Sequence, residues 1–187
     1  MKKIILYSGG ADSRLMLHRA LGLFDREDIV LLHVDYGQKM PELEACVKIA
    51  PKERVMLRVV KTVMPPNPLT GDAPKNTSPN VSDAWVPGRN AVLLAIAAAW
   101  SEHYKADEIW VGFDKDDQAL FPDCSRNFAN NMMRAMNLAR DPALCPLKIT
   151  TPLLWTSKDD VIEALCSHEI PPDEYVSGYP NTEVEGA

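Results

Sequence analysis

A basic excess is the first thing this chain lacks. Lys and Arg total 20 against 26 Asp and Glu, a formal charge of −6, which argues against a broad surface for gripping nucleic-acid backbones and leaves room only for a local basic groove. Paired cysteines are missing as well: Cys46, Cys124, Cys145 and Cys166 are scattered with no CxxC spacing, so neither a disulfide framework nor a zinc knuckle is expected. No long apolar run opens the chain. Ile4 to Tyr7 is far too short for a signal peptide or a membrane span, and a cytoplasmic protein without a membrane partner is expected. Internal repeats and low-complexity tracts are absent too. What remains is ordinary globular composition, 46% hydrophobic and 25% charged, in 187 residues. That length suits one domain with a full core.

Apolar runs of strand length alternate with segments of helical period, the pattern of a parallel sheet wrapped by helices. Strands are expected at Lys3–Tyr7, Ile29–Val34, Val55–Val60, Glu108–Gly112 and Lys148–Thr151. The unbroken hydrophobicity of Ile29 to Val34 implies burial on both faces. Helices are expected at Asp12–Phe24, Pro41–Ala50, Arg89–Tyr104, Ser125–Arg140 and Ser157–His168. The third of these is nearly apolar all round and reads as central. Met64 to Pro87 carries six of the 15 prolines and reads as a long lid or binding loop. Phe113 to Asp123 reads as an acidic loop, and the Pro- and Glu-rich residues from Pro171 onward read as loosely held.

The chemistry starts at Ser8-Gly9-Gly10-Ala11-Asp12-Ser13, directly after the first strand and at the start of the first helix. Two glycines let the backbone turn sharply, and the first helical N–H groups point outward with the positive end of the helix dipole. With the Ser8 and Ser13 hydroxyls they make an anion site. No Gly-Lys-Ser/Thr follows, so this is not a Walker A loop, and the dinucleotide fingerprint is absent too. The plain alternative is a strand-to-helix turn with Asp12 as N-cap.

This loop resembles the pyrophosphate loop of the N-type ATP pyrophosphatases. Four further segments narrow the likeness: Val34-Asp35-Tyr36-Gly37-Gln38 with Glu42-Leu43-Glu44-Ala45; Val86-Pro87-Gly88-Arg89-Asn90; Phe121-Pro122-Asp123-Cys124; and Thr151-Pro152-Leu153 with Ser157-Lys158. In this order they are similar to the 7-cyano-7-deazaguanine synthase family. The resemblance implies a Rossmann-like α/β fold of the adenine nucleotide α-hydrolase type, a parallel sheet of about five strands with helices on both faces. An ATP pyrophosphatase domain would span 1–170, with a tail at 171–187. It also implies ATP and Mg²⁺ as cofactors, a deazapurine carboxylate and ammonia as substrates, and a homodimer. The expected reaction adenylates 7-carboxy-7-deazaguanine, displaces AMP with ammonia to give the amide, and adenylates again to give the nitrile.

By the same resemblance, Asp12, Arg89 and Lys158 are the catalytic candidates. Ser8, Gly9, Gly10, Asp12, Ser13, Asp35 and Lys158 would bind ATP, with Asp12 on either phosphate or magnesium. Lys158 is either a movable cation for the phosphates or a solvated lysine. Gln38, Arg89, Asn90, Asp114, Phe121 and Asp123 would bind substrate. An arginine opening an apolar helix suits a bidentate carboxylate or phosphate contact. A carboxylate from the crowd Asp114, Asp116, Asp117 and Asp123 could accept from a guanine-like edge. Asp123 could equally be an N-cap, Phe121 core, and Cys124 a small buried hydrophobe. Two departures stand out. Leu120-Phe121-Pro122-Asp123-Cys124-Ser125 replaces the family's Gly-Tyr-Pro-Asp-Cys-Arg, and Gly178 stands where the first zinc cysteine would be, so no zinc is expected. Alternatives are arrest at the amide, a PP-loop enzyme acting on tRNA or another macromolecular acceptor, and a non-catalytic nucleotide-binding module.

Overall fold

A computed structural model describes residues 1–38, 41–67, 69–70 and 85–176. The apolar runs form one parallel sheet of β1 (Lys3–Leu6), β2 (Ile29–Asp35), β3 (Met56–Lys61), β4 (Glu108–Trp110) and β5 (Lys148–Thr150), in spatial order β3-β2-β1-β4-β5. Side chains alternate across a strand, and the two faces are covered separately. Ile5, Tyr7, Leu31 and Trp110 pack with α1 (Ala11–Leu21), α2 (Glu42–Glu53) and α6 (Lys158–Ser167). Ile4, Leu32, Val34 and Ile109 pack with α3 (Arg89–His103) and α5 (Arg126–Ala139). The Rossmann-like architecture is therefore as expected, and β2 is buried from Ile29 through Val34.

Two expectations change. First, α3 is not central: Leu94, Ala97, Ala98 and Ser101 are buried, whereas Val92 is exposed. Its apolar look comes from alanines, which count as hydrophobic but have little area to bury. Second, the acidic loop is a short helix, α4 (Lys115–Leu120), followed by a 3₁₀ turn at Pro122–Cys124. Asp114 caps α4, accepting from the Asp117 N–H at 2.7 Å. Six residues are too few to show a helical period.

Where a loose end was expected, Pro172–Glu174 forms a 3₁₀ turn, Glu174 is buried, and Val176 bridges to Gly10. Gly178 lies outside the described residues, as do 71–84 of the long loop. Among the described residues no helix is long and apolar enough to cross a membrane.

The strand order turns back at β1: β2 and β3 lie on one side of it, β4 and β5 on the other. Ligands of open α/β sheets bind in the crevice at such a point, outside the carboxyl ends of the strands.

Candidate active site

A cleft of about 260 Å³ opens there, lined by the ends of β1 (Tyr7, Ser8), β2 (His33, Val34, Tyr36) and β4 (Val111, Gly112, Phe113). Asp12 and Ser13 enter from α1, Glu42 from α2, Arg89 and Asn90 from α3, Asp117 from α4, and Cys124 from the 3₁₀ turn.

The Ser8–Ser13 loop is held shut on itself. Ser13 is buried; its hydroxyl donates to the Gly10 carbonyl at 2.8 Å and accepts from the Gly9 N–H at 3.1 Å. The Gly10 N–H reaches Ser8 Oγ at 3.2 Å. Gly9 has φ +94°, and a Cβ there would lie 3.1 Å from the Glu42 carbonyl carbon and inside contact range of its oxygen. Only glycine fits against the start of α2. Gly10, not Asp12, is the N-cap of α1, and no described side chain caps it. The first-turn N–H groups are therefore left for an anion. Ser13 shapes the loop rather than presenting a free donor.

Lys158 is not a solvated lysine. Its Nζ donates to Asp12 Oδ2 at 2.7 Å, contacts Asp114 Oδ2, and lies 3.5 Å from Asp117 Oδ1. Burial would lower its pKa, but Asp12, Asp117 and Asp114 outweigh that, raise it, and keep it protonated. Burial raises the Asp12 carboxyl despite Lys158. Burial also lifts Asp117 to about 6, with Asp114 and Asp12 adding to the rise and Lys158 opposing it. Among the described residues no three His, Cys, Asp or Glu side chains are arranged to hold a metal. The three carboxylates face an ammonium.

Arg89 sits beside Tyr36 and Glu42. Burial raises both the Tyr36 phenol and the Glu42 carboxyl, and Arg89 pulls each partly back. Asn90 is buried; its backbone N–H donates to Asp123 Oδ2 at 3.2 Å and its Nδ2 to the Asp123 carbonyl at 3.2 Å. Asp123 thus caps α3, while Ser125 caps α5. Asn90 Nδ2 also reaches Cys124 Sγ at 3.3 Å. Burial lifts the Cys124 thiol to about 12, so it is no nucleophile at neutral pH.

Several expected ligands point elsewhere. Asp114 is fully buried, occupied with capping α4 and with Lys158, and lies outside the cleft lining. Phe121 packs against the core shared by α3 and α5. Asp35 faces a neighbouring groove and accepts from the Gly37 N–H at 3.1 Å. Gln38 lines the cleft but fastens its own turn, accepting from the Tyr36 N–H at 2.9 Å and donating to the Val34 carbonyl at 3.2 Å. His33 and Glu42 line the cleft without having been singled out as ligands, and of the four crowded carboxylates it is Asp117 that lines it. Asp117 could have been found from its place one turn after the cap Asp114.

The match to the family described as "Queuosine biosynthesis protein QueC" spans residues 2–186. The chain belongs to that family. Among similar curated proteins, the 7-cyano-7-deazaguanine synthase of a Nitratiruptor species is 30% identical over 96% of this chain and 84% of its own length. The 7-cyano-7-deazaguanine synthase of Campylobacter fetus subsp. fetus is 32% identical over 97% and 85%. The U34-tRNA thiolase NcsA from Methanococcus maripaludis shares the fold, with TM-score 0.61 at 18% identity over 96% of this chain and 60% of its own. So does the NH3-dependent NAD synthetase from Campylobacter jejuni, with TM-score 0.55 at 13% identity over 92% and 66%. In this QueC family member Ser8, Asp12, Ser13, Arg89 and Asn90 line one cleft, and Lys158 is held against Asp12.

Proposed function

We propose that this protein is an ATP-dependent, AMP-forming ligase of queuosine biosynthesis that converts 7-carboxy-7-deazaguanine and ammonia to 7-cyano-7-deazaguanine. The observation that carries the reading is the convergence of a glycine loop, an uncapped helix start and a protonated lysine at the switch point of the sheet. The α1 N–H groups and Lys158 would hold the β- and γ-phosphates. That leaves the α-phosphorus facing the cleft, where a substrate carboxylate oxygen attacks and pyrophosphate departs. Arg89, already beside Glu42 and Tyr36, would orient that carboxylate by a paired hydrogen bond. Ammonia then displaces AMP to give the amide, and a second adenylation, on the amide oxygen, gives the nitrile with loss of AMP. Positioning and charge compensation do most of this chemistry.

Magnesium suits the donor set. Asp12 Oδ1 is buried with no partner among the described residues, and hard carboxylate oxygens are the ligands that ion takes. Asp12 and Asp117 would hold it together with phosphate oxygens, and it would offset negative charge that Lys158 alone cannot. The test is phosphorus NMR with mass spectrometry of a mixture of ATP, Mg²⁺, ammonia and 7-carboxy-7-deazaguanine. AMP, pyrophosphate and the nitrile are expected. ADP and phosphate as the sole nucleotide products would refute the reading, and accumulation of the amide would confine it to the first half.

A further inference from the structure

The phosphate loop is wedged between two elements far from it in sequence. The start of α2 meets Gly9 on one side, through the Glu42 carbonyl. On another side the Val176 N–H donates to the Gly9 carbonyl at 2.9 Å, and Gly10 and Val176 form a parallel bridge. Val176 is brought there by a buried ionic lock. Arg14, on the first turn of α1, donates from Nε at 3.1 Å and Nη2 at 2.8 Å to Glu174 Oε2, and from Nη2 to Glu53 Oε1 at 2.8 Å. Lys52 from α2 donates to Glu174 Oε1, and Lys48 donates to the Asp173 carbonyl at 3.1 Å. Arg14 and Glu174 are 3% and 2% exposed, so each is the other's main compensation for burial.

Fixing the Gly9 carbonyl matters because of what lies on the other edge of the same peptide plane. In a trans peptide the carbonyl and the next N–H point in opposite directions. With the Gly9 oxygen held by Val176, the Gly10 N–H must face Ser8 Oγ, and Ser8 lines the cleft. Glycine on both sides lets this peptide rotate more readily than any other in the loop. A flip would present a carbonyl oxygen where phosphates must sit, turning a donor into a repelling dipole.

We propose that residues 172–176 are a strap whose Arg14–Glu174 lock prevents this flip, making Glu174 a positioning residue for ATP. The inference rests on the ATP-binding reading. It concerns ATP alone, since the strap touches the loop and not the part of the cleft that holds Arg89 and Asn90.

Isothermal titration of the full chain with ATP plus Mg²⁺, and separately with 7-carboxy-7-deazaguanine, tests it. In Glu174→Gln the Kd for ATP should rise about tenfold or more, the effect of losing one donor to a charged acceptor, while the Kd for the carboxylate stays within about twofold. Val176→Pro removes the N–H and leaves every charge in place, so it should show the same split. It also reads the proposal if Glu174→Gln fails to fold. A lower melting temperature with unchanged ATP affinity in both variants would make the strap a mere brace and overturn the proposal. Absence of ATP binding by the wild-type protein would overturn the functional reading and this inference together, an outcome distinct from the first.

Discussion

Two glycines with positive φ offer a controlled comparison. Gly9 (φ +94°) is pressed against the Glu42 backbone, whereas Gly88 (φ +70°) has nothing within 4 Å of where a Cβ would stand. Alanine at either place must adopt left-handed backbone, a cost of about 1–2 kcal/mol. For Gly88→Ala that is the whole effect. A chain of 187 residues should then lose about 2–8 °C of Tm at ~2–4 °C per kcal/mol. Gly9→Ala must in addition push the Glu42 carbonyl away by roughly 1 Å, and overpacking of this kind adds about 1–3 kcal/mol. The total of about 2–5 kcal/mol corresponds to a loss on the order of 10 °C. The shift also moves the loop, so ATP affinity should fall about tenfold or more in Gly9→Ala and change by less than about twofold in Gly88→Ala. Differential scanning calorimetry and ATP titration give both quantities. Equal melting losses, or wild-type ATP affinity in Gly9→Ala, would show that the wedge against α2 does not hold the loop.

Two further outcomes are expected. Asp117 stands at about 6 in the fold against 3.8 unfolded, so its contribution to stability is present below about pH 4 and lost as pH rises through about 6. In metal-free buffer denaturant titrations should show the wild type losing on the order of 1 kcal/mol between about pH 5 and about pH 8 through this group; Asp117→Asn should escape that loss, and identical slopes would remove Asp117 from the account. Elemental analysis should find no stoichiometric zinc, because Cys46 and Cys124 lie in opposite core layers and Cys145 and Cys166 are exposed. One zinc per chain, lost together with folding on chelation, would contradict this.

The strands and long helices were legible because their apolar periods run over many residues. The short helix α4 was not, since Lys115–Leu120 carries two aspartates and too little sequence to show a stripe. At the site, residue types were legible and side-chain directions were not. Asp35 closes β2 and Asp114 stands just before α4, and whether a carboxylate near a strand end points into the cleft depends on packing that no motif records. Lys158 illustrates the same limit. Its partner Asp12 lies 146 positions earlier, so a lysine at a helix start read equally as a movable cation or a solvated residue until the fold brought three carboxylates to it. Arg14 and Glu174 were missed for a related reason: each is ordinary in its local context, and only their burial together gives them a role.

The closure of the Gly9 carbonyl by Val176 sets an order of events during synthesis. Ribosomes add ~5–20 residues per second, so the phosphate loop emerges on the order of 10 s or more before the residue that fastens it. Through that interval β1 and β2 can pair while the peptide between Gly9 and Gly10 is free to turn either way. The nucleotide pocket is therefore finished only after all five strands have been made, and a released chain truncated before Glu174 would keep all five strands with an unlatched loop.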